Sequence, residues 1–386
     1  MSDFAQAGLI CTLQRLNDSH LAAIEDELSV LSEERPITLI LPCHGAELER
    51  PALQHICSEL AGATWLREIV VSMNALDASG YGRARQFFAS LPQPVRILWN
   101  DGPSLLATCA GLLGVSPTAI PHGKGLNVWT ATGLVFHEAK SEIVVTQDCD
   151  VASFRRASLA RLCYACAHPR LGFAFAKMYY SRVTDRLYGR VSRLFLAPLL
   201  QAFTRVAGHQ PMLDFLRSFR YPLAGECAMR RDLAAGIQTS PGWGLEIGML
   251  CEVFRSIDPR AVCQVDGGSG YDHKHQPVDR GLVAMCREIA AALVSQLIAE
   301  GMSAASRETV ADAYRREGKL ALQRSAALAL INGLPFDEAG EAEIVEAFAG
   351  ALAESALVAP TPGLPAWSRL AAARPEACAA FVQAAG

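Results

Sequence analysis

Between Ile37 and Gln147 the chain alternates short apolar, β-branched runs with segments of helical spacing, and that alternation leaves few folds open to it. Strands are predicted at Ile37–Leu41, Glu68–Met73, Val95–Trp99 and Ile143–Gln147, and helices at Leu53–Leu60, Gly82–Leu91 and Gly125–Glu138. A β-α-β-α order of this kind buries a parallel sheet beneath helices on both faces. The last run, Glu142-Ile-Val-Val-Thr-Gln-Asp148-Cys149-Asp150, ends in two carboxylates one residue apart. Side chains at i and i+2 of a strand face the same way. Asp148 and Asp150 can therefore converge at the strand's C-terminal mouth, where open α/β sheets bind ligands. Paired carboxylates repel unless a cation separates them, and a hard divalent ion that also holds substrate phosphates suits them. The same aspartates also read as an ordinary strand end that starts a turn or caps the helix-like Ala152–Ala167.

Composition narrows the classes. A chain of 386 residues, 51% hydrophobic and 19% charged, has room for about two domains with a large core and argues against disorder. A net charge of -4 gives no basic footprint for nucleic acid. No apolar run is expected to approach the roughly 18 residues that span a bilayer, and Met1-Ser2-Asp3-Phe4 lacks the start of a signal peptide. The twelve cysteines read as reduced thiols of a cytoplasmic protein. The one close pair, Cys163 and Cys166, has no second pair to complete a zinc site and reads as packing.

Residues 1–35 are predicted to be helical. Beyond Asp150 a strand is expected at Gly172–Tyr179 and a long helix at Arg186–Phe203. Two polar, Gly-bearing junctions follow, Pro222-Leu-Ala-Gly-Glu226 and Gly242-Trp-Gly-Leu-Glu246, and then a strand at Ala261–Val265. From Asp279 the chain is Ala-, Leu- and Glu-rich and reads as helical, with a proline-bearing linker at Ala359–Pro365. The expected organisation is an N-terminal segment 1–35, a catalytic domain 36–280 whose halves are 36–150 and 151–280, and a helical region 281–386.

Four further segments can carry chemistry. Pro42-Cys-His-Gly-Ala-Glu47 follows the first strand and offers a carboxylate for a ribose or base, or is a plain βα loop. It is no G-x-G-x-x-G fingerprint, and the chain holds no Walker motif, which disfavours a dehydrogenase and a P-loop kinase. Pro121-His-Gly-Lys124-Gly125 can bring backbone N–H groups and an ammonium to an anion, or is a helix start with a solvated lysine. Tyr188-Gly189-Arg190-Val-Ser192 offers a guanidinium fork and a hydroxyl for phosphate or carboxylate, or lies on an arginine-rich helix surface. Asp272-His273-Lys274-His275 can add an imidazole to a metal site, or is a solvated loop.

Taken in order, these segments from about Pro36 to Arg280 resemble the retaining glucosyl-3-phosphoglycerate synthases, and less closely the mannosylglycerate synthases. The resemblance implies an α/β, Rossmann-like nucleotide-sugar-binding domain of the GT-A kind with a helical C-terminal extension. It implies a hexosyltransferase that moves glucose from UDP-glucose to 3-phosphoglycerate with retention, aided by Mg2+ or Mn2+. A GDP-mannose donor with a glycerate acceptor is the alternative. By the same resemblance Asp150 and His273 hold the metal, and Pro42, Glu47, Asn74, Lys124, Asp148 and Cys149 surround the nucleotide sugar. Gly189, Arg190, Ser192 and Lys274 hold the acceptor. Glu246 and the Leu223 backbone lie at the reacting centre, and the protein forms a homodimer. The chain departs from the family pattern in carrying Ser192 for threonine and Ala224-Gly225-Glu226 for Gly-Gly-Glu. It also has Lys274-His275-Gln276 where the family has Arg-Asn-Arg.

Overall fold

The computed structural model describes residues 8–17, 20–270, 280–302, 307–354 and 363–385. Eight strands form one sheet: β1 (Cys11–Leu13), β2 (Ile37–His44), β3 (Glu68–Asn74), β4 (Val95–Trp99), β5 (Ile143–Thr146), β6 (Phe175–Ser181), β7 (Cys227–Arg230) and β8 (Val262–Ser269). Their spatial order is β1-β8-β6-β7-β5-β2-β3-β4. Seven run parallel, and β7 alone runs antiparallel between β5 and β6. The parallel expectation thus holds for β2 to β5 and is corrected at β7, whose four residues carry no period of their own.

The helices of the first half are α1 (Leu21–Glu34), α2 (Pro51–Leu60), α3 (Ala78–Phe88), α4 (Pro103–Leu113), α5 (Lys124–Glu138) and α6 (Arg156–Ala167). Next come α7 (Ala197–Ala207), α8 (Pro211–Arg217), α9 (Arg231–Gly236) and α10 (Leu245–Ser256). The C-terminal set is α11 (Arg280–Ala299), α12 (Arg307–Ile331), α13 (Glu338–Glu354), α14 (Trp367–Ala373) and α15 (Pro375–Ala385). The N-terminal stretch is not wholly helical as expected, since Cys11–Leu13 pairs with Cys263–Val265 as an edge strand. The helix expected from Arg186 begins only after Arg190, with a π-helical turn at Val191–Leu196 that leads into α7.

Strand residues alternate between two cores. On one face Leu39, Val71, Val145 and Ala176 pack with α2 and α6. On the other Ile40, Val70, Val144 and Phe175 pack with α5 and the C-terminal helices. Helix α5 is buried along most of its length. Trp367 of α14 stacks on its Trp129 at 4.4 Å between ring centres. Both indoles donate to backbone carbonyls across the contact: Trp367 Nε1 to the Trp129 carbonyl at 2.7 Å, and Trp129 Nε1 to the Pro365 carbonyl at 2.8 Å.

Helix α11 corrects one expectation. Gly281–Ala299 is long and apolar enough, by length and composition alone, to cross a membrane. In this fold it lies against α10 and α13, with Cys286, Ile289, Leu293 and Leu297 in the core and Arg287 paired to Glu354 at 3.0 Å. All twelve cysteines are free thiols, and Cys163 and Cys166 are fully buried packing residues of α6.

Candidate active site

Because β2, β3 and β5 are parallel, their C-terminal ends open on one edge of the sheet. The loop after β5 carries Asp148, Cys149 and Asp150. Thr146 Oγ1 donates to the Gly225 carbonyl at 2.7 Å, which ties the end of β5 to the turn before β7. Asp148 then rests on the Gly225 backbone, where an added Cβ would lie 2.3 Å from Asp148 Oδ2. Glu226, fully buried behind it, accepts from Gln147 Nε2 at 3.1 Å and from the Tyr180 hydroxyl at 3.0 Å. Between the aspartates the Cys149 thiol is hydrogen-bonded to Cys43 and buried. Both effects push its pKa well up, so it stays a neutral wedge.

Lys124 is the first residue of α5. Just past it, Gly125 lies flat on the Ser240–Pro241 backbone, where a Cβ would come within 2.1 Å of the Ser240 carbonyl oxygen. Only glycine permits that approach. It draws the start of α5 to the loop that leads into α10, whose first turn carries Glu246. Lys124 Nζ consequently sits 2.5 Å from Asp148 Oδ1 and 2.9 Å from Glu246 Oε1. Burial by itself would lower the pKa of this ammonium, but the two carboxylates outweigh it and hold the lysine well above its ordinary value. It is a permanent cation shared by two acids.

These groups line a cavity of about 270 Å³, and Asp150, Gly189, Arg190, Ser192 and Leu223 line the same space. Arg182 enters it as well. Arg182 Nε and Ser192 Oγ are buried and have no hydrogen-bond partner among the described residues. Orphaned polar atoms are costly unless a ligand satisfies them. Arg190 Nε lies 3.3 Å from Glu341 Oε1 of α13.

Other expected residues lie elsewhere. Pro42 is within β2, and Glu47 is buried in a 3-10 turn with its carboxylate 3.2 Å from Arg50. Asn74 accepts from Asn127 Nδ2 at 3.2 Å, and Asn127 in turn accepts from Asn100 Nδ2 at 3.0 Å. None of the three lines the cavity, nor does Cys149. His273 and Lys274 fall in 271–279, outside the described residues.

Sequence reasoning passed over the walls Tyr180, Arg182, Tyr188, Tyr221 and Trp243, and Leu282, Met285 and Ile289 of α11. Tyr188 and Trp243 stand inside motifs already singled out, so their position was a usable signal. The others reach the cavity from distant elements and have none.

Asp148 and Asp150 offer a divalent cation two hard oxygen donors in one cavity. That donor set fits Mg2+ or Mn2+, ions that take few protein carboxylates and complete their shell with phosphate and water. Among the described residues no third His, Cys, Asp or Glu joins a metal-holding cluster.

Gly225→Ala tests the packing directly. The methyl group must displace the Asp148 carboxylate from Lys124, so activity should fall at least about tenfold while thermal stability changes by only a few degrees. A variant with full activity would show that Asp148 need not lie on Gly225.

A mixed α/β sheet that gathers paired acids, a helix-start lysine and an Arg-Ser loop around one cleft has the architecture of a nucleotide-sugar-dependent glycosyltransferase. No protein-family model matches the chain. It is 38% identical over 387 residues to the glucosyl-3-phosphoglycerate synthase of Persephonella marina, covering 97% of this chain and 96% of that one. It is 33% identical over 331 residues to the enzyme of the same name from Methanococcoides burtonii, covering 83% and 81%. The chain belongs to the glucosyl-3-phosphoglycerate synthase family. Among solved structures it resembles glucosyl-3-phosphoglycerate synthase of Mycobacterium tuberculosis in complex with Mn2+, UDP-glucose and phosphoglyceric acid. The TM-score is 0.56 at 22% identity, over 77% of this chain and 89% of that one. That likeness bears on the fold, which is the expected α/β, GT-A-type architecture.

Proposed function

We propose that this chain transfers glucose from UDP-glucose to the free hydroxyl of 3-phosphoglycerate with retention of anomeric configuration. The convergence of Lys124, Asp148, Asp150 and Glu246 with Gly189, Arg190 and Ser192 on one cavity carries the reading. Acids and a lysine on one side suit a metal-bound diphosphate, and a guanidinium and hydroxyl on the other suit an anionic acceptor. The relatives are glucosyl-3-phosphoglycerate synthases, and the mycobacterial enzyme is seen with Mn2+, UDP-glucose and phosphoglyceric acid bound.

In this reading Asp150 and His273 hold the metal, which would offset charge on the departing diphosphate. Lys124 acts on the same side, as a fixed cation whose two carboxylate partners keep it protonated. Asp148 orients the donor's ribose or sugar, with Pro42, Glu47, Asn74 and Cys149 shaping the strand ends beside the nucleotide. Arg190, Ser192, the Gly189 backbone and Lys274 grip phosphate and carboxylate, so the acceptor hydroxyl is presented to the anomeric carbon on the face the nucleotide leaves. The bond from that carbon to the diphosphate oxygen breaks as the new carbon–oxygen bond forms, and the hydroxyl proton passes to the departing oxygen. Glu246 orients the sugar and hydroxyl beside the Leu223 backbone, and positioning supplies much of the rate. We further read 36–280 as the transferase unit and 281–386 as its helical extension, and the working form as a cytoplasmic homodimer.

Nucleoside diphosphate release, measured with 3-phosphoglycerate or glycerate against UDP-glucose or GDP-mannose in Mg2+, tests the reading. Release only with UDP-glucose and 3-phosphoglycerate is expected. Turnover with glycerate alone, or with no pair, would overturn it. Arg190→Ala should raise KM for 3-phosphoglycerate roughly 100-fold through loss of a charge-assisted fork. KM for UDP-glucose should stay within about threefold. Equal losses for both substrates would remove Arg190 from the acceptor site.

A further inference from the structure

Glu341 lies far from the cleft in sequence, in the first turn of α13, and is almost fully buried. A buried carboxylate needs cationic partners, and Glu341 has two. Arg193 Nη1 and Nη2 both donate to it, and Arg190 Nε lies 3.3 Å from its Oε1. Arg193 does more than neutralise the acid. Its Nε donates to the Tyr188 carbonyl at 3.1 Å and its Nη2 to the Leu187 carbonyl at 3.3 Å, so the backbone just before Gly189 is pinned through it. The Phe336 ring, in the segment leading to α13, covers the Arg193 guanidinium at 5.9 Å.

The contact to Arg190 is one-sided. Glu341 engages Nε and leaves the Nη1/Nη2 edge, one of the two edges through which a guanidinium can hold phosphate or carboxylate with two parallel hydrogen bonds. A carboxylate beside an anion-binding arginine would by charge alone weaken the anion's hold. With Arg193 already balancing the Glu341 charge, the Nε contact acts on Arg190 chiefly as orientation: it limits the swing of a guanidinium whose residue lines the cavity.

We infer that Glu341 is a positioning residue for the acceptor: it fixes the plane of Arg190 and, through Arg193, the course of residues 187–190. The inference rests on the reading of Arg190 as the acceptor's grip. The C-terminal helices thereby contribute to acceptor recognition without touching the acceptor.

The test is steady-state kinetics of Glu341→Ala, Glu341→Gln and Glu341→Asp beside Arg190→Ala, with thermal melting of each. Glu341→Ala should raise KM for 3-phosphoglycerate by at least about tenfold. KM for UDP-glucose, and kcat at saturating acceptor, should stay within about twofold. Glu341→Asp should restore most of the acceptor affinity, and Glu341→Gln should fall between, since it keeps the accepting oxygen but not the charge. Tighter or unchanged acceptor binding in both Glu341→Ala and Glu341→Gln would overturn the inference. So would a parallel loss of donor and acceptor affinity that tracks the melting temperature, which is the mark of a purely structural role. If Glu341→Ala fails to fold, the glutamine and aspartate variants decide by the same KM split. Should Arg190→Ala leave KM for 3-phosphoglycerate unchanged, the acceptor reading itself fails and this inference with it. Should Arg190→Ala raise that KM while no Glu341 variant does, only the inference fails.

Discussion

Asp150→Ala should lower kcat/KM by about a thousandfold or more, on the order of 4 kcal/mol of transition-state stabilisation, and should abolish metal-dependent binding of UDP-glucose. The argument is electrostatic. Lys124 lies 2.5 Å from Asp148 and 2.9 Å from Glu246, and Asp150 adds a further hard oxygen donor to the same cavity, the kind a divalent cation takes. A diphosphate and two carboxylates cannot share a small space without that cation. The fold should tolerate the change, because Asp150 is only half-buried and lies in a loop between β5 and α6. Calorimetry of UDP-glucose binding with and without Mg2+ or Mn2+ separates the outcomes. If Asp150→Ala still binds the donor tightly in a metal-dependent way, the metal lies elsewhere.

The second large effect is on stability. Trp367→Ala should cost roughly 3–5 kcal/mol and lower the melting temperature by about 4–6 °C. Trp367 is 1% exposed, stacks on Trp129, and lies 4.6 Å from Phe381 between ring centres. Gly133 of α5 sits directly beneath its ring and offers no side chain to fill the void on that side. Removing the indole also takes the donor from the Trp129 carbonyl. Because α14 and α15 brace the helix that begins at Lys124, donor affinity should weaken too. Trp367→Phe should recover most of the packing but not the hydrogen bond. A melting temperature within two degrees of the parent for Trp367→Ala would show that this contact contributes little.

The alternation from Ile37 to Gln147 was legible because each strand there is a β-branched run bounded by turn residues. Helix α4 escaped notice because Pro103–Leu113 is apolar all round and has no polar face to set a period. Strand β7 is decided by its neighbours β5 and β6, which no local pattern announces. The Lys124, Asp148 and Glu246 cluster sat in recognisable motifs, yet its distances depend on Gly125 and Gly225 meeting backbone from other segments. Glu341 was illegible for the same reason: on a helix of Glu and Ala it looks like any solvated acid. Its role appears only where Arg190 and Arg193 reach it.

The π-helical turn ahead of α7 has its own consequence. Pro198 has no N–H to offer, so the Leu194 carbonyl one turn earlier takes its hydrogen bond from the Tyr314 hydroxyl of α12 at 2.6 Å. That donor lies 120 residues downstream, and Glu341 lies 148 residues beyond Arg193. A ribosome adding about 5–20 residues per second needs on the order of ten seconds to make the second of those stretches. During vectorial synthesis the strands that end at Asp148 can therefore pair while the segment 187–196 still lacks both its buried counter-ion and its hydroxyl. A nascent chain stalled before Glu341 would carry the paired acids on a finished sheet edge and face them with a loop that has nothing to close against.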